Sequence, residues 1–88
     1  MAYQLTFTSR FQKHFKDLTV QEKKQLQNKL KLLVENPMHP SLRANRIQGT
    51  RDLFECSVNM DIRIIWCYEG NKMIILIDVG HHDILDQF

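Results

Sequence analysis

Four residues in the second half of the sequence have side chains that could act together on a phosphodiester. Asp61 and Arg63 open the run "DIRIIWCY", and His81 and His82 follow a glycine in "DVGHHDILDQF", positions 78 to 88. Cleaving RNA through its own 2′-hydroxyl needs a base for that oxygen, an acid for the departing 5′-oxygen and positive charge at the crowded phosphorus. Histidine titrates near neutral pH and serves as acid or base. Arginine offers a planar fork that matches a phosphate. Acid–base help of this kind contributes about 10²–10⁴-fold in rate. Each residue also has an ordinary reading. Asp61 is a common turn aspartate, and Arg63 could pair with a carboxylate at a sheet edge. Adjacent histidines at a strand end diverge, and neither Cys nor His stands at ligand spacing from them, so a metal is not expected. His14 belongs on the polar side of a helix with no assigned role, and His39 lies in a loop with its role open.

These residues need elements to position them. Tyr3, Leu5 and Phe7 alternate with Gln4 and Thr6, which predicts a short strand. Phe11, Phe15 and Leu18 then fall on one helical face, with Thr8 or Ser9 available as the cap. "TVQE" at 19 to 22 fits a capping box, so a second helix should begin near Val20. Leu26, Leu30, Leu33 and Val34 give it an apolar stripe, and Asn36-Pro37 stops it. The two helices should form a helical hairpin. Residues 38 to 52 read as a long ordered loop holding Arg43, Arg46 and Arg51. Three strand-like runs follow, at 53–58, 62–68 and 73–79, separated by tight turns, with Gly70-Asn71 a hairpin signal. The last run is so apolar that both its faces should be covered. Ile62, Ile64, Trp66 and Tyr68 should share one face, and Arg63, Ile65 and Cys67 the other. If the last two runs pair as a hairpin, the start of one faces the end of the next. That pairing gathers Asp61, Arg63, His81 and His82 at one sheet edge. The expected class is α+β: one strand, a helical hairpin on one face, a three-stranded antiparallel meander and a short tail, with residues 1–88 forming one domain.

Composition narrows the function classes. The chain has 88 residues, 43% of them hydrophobic and 25% charged, which suits one ordered domain and argues against disorder. The net charge is +2, with three arginines crowded into positions 43 to 51 beside a helix carrying Lys23, Lys24, Lys29 and Lys31. The lysines read as a solvated face, while an arginine cluster in a loop points to a partner. No stretch is long and apolar enough for a bilayer span, and "MAYQLTFTSR" lacks the pattern of a signal peptide. Cys56 and Cys67 sit in strand patterns and read as buried, reduced thiols. A cytoplasmic location is expected.

The order strand, helical hairpin, basic loop, meander and tail resembles the RelE/ParE toxin superfamily of type II toxin–antitoxin systems, and within it the RelE/YafQ-like branch. The pieces that carry the resemblance are the "NP" stop, the "G" before the meander, "IRIIW" and "VGHHD", all in order. It implies a ribosome-dependent mRNA endonuclease, or mRNA interferase, without metal or cofactor. It implies as partners a cognate antitoxin, the ribosome and mRNA, operator DNA only through the antitoxin, and no membrane. Arg63 matches the strand arginine that contacts the scissile phosphate, His82 the acid–base position of the tail, and Asp61 an active-site aspartate of the YafQ-like branch. His81 could supplement His82. Phe88 falls where RelE has a tyrosine and could stack on a base, beside RNA-binding Arg43, Arg46 and Arg51. Several family positions are substituted: Glu55 and Ser57 stand at two basic positions of the RelE second strand, Ser57 also at a YafQ-type histidine of that strand, and Asn45 at a YafQ-type histidine of the preceding loop. Two rivals therefore stand beside the nuclease. One is a ParE-like inhibitor of DNA gyrase, and the other is a catalytically degenerate toxin that only binds its antitoxin.

Overall fold

The structure is a computed structural model that describes residues 2–88, except for the side chain of His82. Strand β1 (Gln4–Phe7) leads into helices α1 (Ser9–Lys16) and α2 (Val20–Glu35). A short 3-10 turn at Pro40–Leu42 precedes the strands β2 (Asn45–Arg46), β3 (Phe54–Ser57), β4 (Ile62–Glu69) and β5 (Met73–His81). A second 3-10 turn spans His82–Gln87. The strands form one five-stranded sheet in the order β1-β5-β4-β3-β2.

Local chemistry fixes the helix ends. The Thr8 hydroxyl accepts the Phe11 amide at 3.1 Å and starts α1. Thr19 and Glu22 form the expected capping box, each accepting the other's amide, at 3.1 and 2.9 Å. Asn36 leaves the helical region ahead of Pro37 and ends α2. Gly70 takes a positive φ of 64° in the β4–β5 turn, where any side chain would be strained.

The meander pairs as its alternation predicts. Cys56, Val58, Ile62, Ile64 and Trp66 face the two helices and share one core with Phe11, Leu18, Leu26 and Leu33. Two features depart from the expected arrangement. Residues 45 and 46, read as part of a loop, pair antiparallel with Glu55 and Phe54 as a short edge strand. Strand β1 closes the other edge by pairing parallel to β5, Gln4 with Met73 through Phe7 with Leu76. The sheet is therefore mixed and five-stranded. The last strand also runs on to His81, so both Gly80 and His81 lie inside it.

A bulge decides what β5 presents. Ile65 pairs with Asp78, yet Trp66 pairs with Leu76, leaving Ile77 as an extra residue. Unbroken alternation from Ile74 and Leu76 would drive Asp78 into the apolar core. The bulge resets the faces instead. Val79 enters the core, and Asp78, level with Ile65 in the register, gives its carboxylate to Arg10 and His14 of α1.

Candidate active site

Pairing brings the start of β4 to the end of β5, with Ile62 opposite His81 and Arg63 between Ser57 and Gly80. Cross-strand partners share a face. Arg63, Ser57 and Gly80 therefore lie on the face away from the main core, with Glu55 two residues along β3. His81 shares the face of Ile62 and opens toward α1, beside His14 and Asp17. Backbone proximity thus joins Arg63 and His81, while their side chains leave opposite faces of the sheet. The side chain of His82 lies outside the described residues. Asp61 is exposed in the β3–β4 turn, its amide donated to Asn59 Oδ1 at 2.7 Å.

Arg63 is held rather than free to swing. Its Nη1 donates to the carbonyls of Asn59, Met60 and Ile62 at 2.8, 3.1 and 3.2 Å. Its Nε stands 3.9 Å from Glu55 Oε1, and both side chains are about one-fifth exposed (21% and 19%). The Nη2 amino group makes no hydrogen bond among the described residues. Glu55 also lines an open cleft of about 660 Å³ formed with Asn45, Arg46, Gln48, Thr50 and Leu85. That cleft brings Arg46 of the basic loop to the site, with its guanidinium stacked 5.5 Å above the Phe54 ring. Arg43 and Arg51 are exposed outside its lining. The Phe88 ring sits 5.2 Å from the Arg10 guanidinium, on the α1 side.

Sequence reading missed two features. Glu55 registers there only as a lost basic residue, yet it places a carboxylate beside Arg63 at the cleft. The second is a buried network centred on Asp78, which has no exposed surface. Its Oδ2 takes Arg10 Nε at 2.9 Å, its Oδ1 takes His14 Nδ1 at 2.5 Å, and Oδ1 also accepts the Val79 amide at 2.8 Å. The available signal was an aspartate inside the run "MIILIDV", since a buried carboxylate requires charged or hydrogen-bonding partners. His14, expected to be a bystander, is one of them. Among the other titratable groups, burial pushes the Cys56 thiol up to about 12, so it stays protonated at neutral pH. Burial also raises Cys67, helped by nearby Asp52 and Glu69.

The fold is that of the RelE-like toxins. The family model described as "Bacterial toxin of type II toxin-antitoxin system, YafQ" matches residues 3–87. The chain belongs to this YafQ toxin family. Among solved structures it is similar to the archaeal RelE of the RelE–RelB complex from Pyrococcus horikoshii, at 18% identity and TM-score 0.77, covering 92% of this chain and 96% of that one. The intact RelBE toxin–antitoxin complex of E. coli matches at 26% identity and TM-score 0.74, covering 91% and 96%. YafQ from E. coli matches at 18% identity and TM-score 0.76, covering 94% and 97%. Comparison with curated protein sequences gave no match. No helix among the described residues is long and apolar enough to cross a membrane.

Proposed function

We propose that this type II toxin cuts mRNA on the ribosome, in a reaction that uses protein side chains alone. The observation that carries the reading is the Arg63 guanidinium, its Nη1 pinned by the carbonyls of Asn59, Met60 and Ile62 and its Nη2 without a hydrogen bond among the described residues, beside a carboxylate on a cleft that also holds Arg46. The substrate's 2′-oxygen attacks the adjacent phosphorus and gives its proton to a base. The bond from phosphorus to the 5′-oxygen breaks, and that oxygen takes a proton from an acid. The products are a 2′,3′-cyclic phosphate and a 5′-hydroxyl. Arg63 meets the charge that builds on the phosphorane oxygens, where a preorganised donor acts most strongly. Glu55, 3.9 Å from that arginine, is assigned the base, and Asp61 adds a second carboxylate in the adjoining turn. His82, from its place in the family pattern, is assigned the acid; His81, whose side chain leaves the opposite face of the sheet from Arg63, takes no part in the step. Arg46 leads the backbone into the cleft, with Arg43 and Arg51 on the approach, while Phe88 is engaged with Arg10 on the α1 side.

A cognate antitoxin is the expected protein partner, as in the RelE–RelB and RelBE complexes of the similar structures. An amphipathic helix would find an apolar cleft of about 430 Å³ lined by Phe7, Phe11, Phe15 and Leu30, while acidic side chains meet the basic loop. Membership of the YafQ family favours the nuclease over a gyrase inhibitor. The test is induction of the chain without antitoxin, with Arg63→Ala in parallel, followed by mapping of mRNA 5′ ends. Growth arrest with new cuts in translated messages, lost in the variant, is the expected result. Arrest without cuts but with DNA damage signals moves the reading to gyrase. Absence of arrest indicates a toxin reduced to antitoxin binding.

A further inference from the structure

The His82–Gln87 turn carries Leu85 into the Arg46/Glu55 cleft, so the shape of that cleft depends on where the turn sits. Little in the turn itself holds it. It has no side-chain cap, and 3-10 runs of this length are uncommon because their hydrogen bonds are poorly aligned. Among the described residues, two contacts from outside hold its ends. Ile84 packs on Gly80 of β5. The other anchor is Arg10 on α1. Its Nε is bound to the buried Asp78 carboxylate at 2.9 Å, its Nη2 donates to the Gln87 side-chain oxygen, and its guanidinium lies 5.2 Å from the Phe88 ring. A single rigid fork thus joins the sheet interior to the far end of the turn.

We infer that Arg10 is a positioning residue: locked by Asp78, it pins the turn that walls the candidate RNA cleft. The Arg10 side chain is 45% exposed but its partner Asp78 is fully buried, so removing Arg10 also takes a charged partner from a buried carboxylate and lowers stability. Gln87→Ala frees the turn from Arg10 while leaving the Arg10–Asp78 pair intact, so it separates the hold on the turn from that stability cost. The consequence for cleavage rests on the nuclease reading, whereas the hold on the turn does not.

The experiment compares wild type with Arg10→Ala, Gln87→Ala and Gln87→Glu. It measures melting temperature, backbone amide ¹⁵N heteronuclear NOEs for residues 83–88, and single-turnover cleavage of ribosome-bound mRNA at saturating and sub-saturating ribosome. Gln87→Ala should melt close to wild type and Arg10→Ala below it, since buried Asp78 loses a partner; both should lose amide rigidity in the turn and cut about 10- to 100-fold more slowly at saturation. The half-saturating ribosome concentration should not change. Gln87→Glu offers the same guanidinium a carboxylate and should keep both order and rate. A turn that stays rigid in both alanine variants overturns the inference, as does a loosened turn with an unchanged saturated rate. If wild type cuts nothing, the nuclease reading fails, and the NOE comparison alone decides whether Arg10 holds the turn. If Arg10→Ala does not fold, Gln87→Ala carries the same test.

Discussion

Gly80→Ala should be far more disruptive than one added methyl group suggests. Gly80 lies beside Arg63 in the register, and its backbone requires no positive φ, so any effect is steric. An ideal Cβ there would stand 2.7 Å from Ile84 Cγ2, against 3.4 Å for ordinary contact. The shortfall of about 0.7 Å falls on a methyl fixed to a β-branched carbon, which is stiff about χ1. Relief therefore needs a forced rotamer or a shift of the whole His82–Gln87 turn. Overpacking of this size costs about 1–3 kcal/mol. Urea unfolding of Gly80→Ala, Ile84→Ala and the double variant measures it. The double variant should be more stable than the sum of the singles allows, by about 1 kcal/mol or more, because removing the Ile84 methyls removes the clash. It should also recover part of any cleavage lost in Gly80→Ala. Additive losses within about 0.5 kcal/mol would refute the reasoning.

Three further outcomes are expected. Asp78→Ala should destabilise the protein by about 1–3 kcal/mol in chemical denaturation, since the Val79 amide loses its acceptor in a buried site and Arg10 and His14 lose their common partner. Glu55→Gln should slow single-turnover cleavage by about 10- to 100-fold while the fold survives, if this carboxylate takes the 2′-proton. Cys56 has a folded pKa raised from 9.0 to about 12 by burial, so the folded state keeps its proton longer than the unfolded state. Its contribution is complete below pH 9 and declines as pH rises toward 12, by up to about 1.4 kcal/mol per pH unit. Replacing Cys56 with Ala should flatten that part of the stability–pH curve measured by urea unfolding.

Much of this architecture was legible from local chemistry. The Thr19/Glu22 box and the Asn36-Pro37 stop bound α2 because capping and proline sterics act within a few residues. Alternation from Ile62 to Tyr68 placed the core face of β4 correctly for the same reason. The β1–β5 pairing was not legible, because parallel partners 69 positions apart, such as Gln4 and Met73, carry no local signal. Nor was β2, whose two residues pair by contact with β3 rather than by pattern. The bulge at Ile77 is the most consequential hidden feature. Without the register, Asp78 reads as an anomaly in a strand. With it, Asp78 becomes the hub that ties α1 to β5. The gathering of Arg63 and His81 was legible as backbone proximity. Their opposite faces follow only once Ile62 is known to pair with His81.

The central claim is that Arg63 stabilises the phosphorane of a 2′-hydroxyl attack on ribosome-bound mRNA. Its most direct test is the chemistry of the new ends made by purified protein on programmed ribosomes, with Arg63→Ala alongside. The account predicts 2′,3′-cyclic phosphates and 5′-hydroxyls, and a loss of at least about 100-fold in rate in a variant that remains folded. Ends bearing a 5′-phosphate, or an unchanged rate in Arg63→Ala, would contradict it.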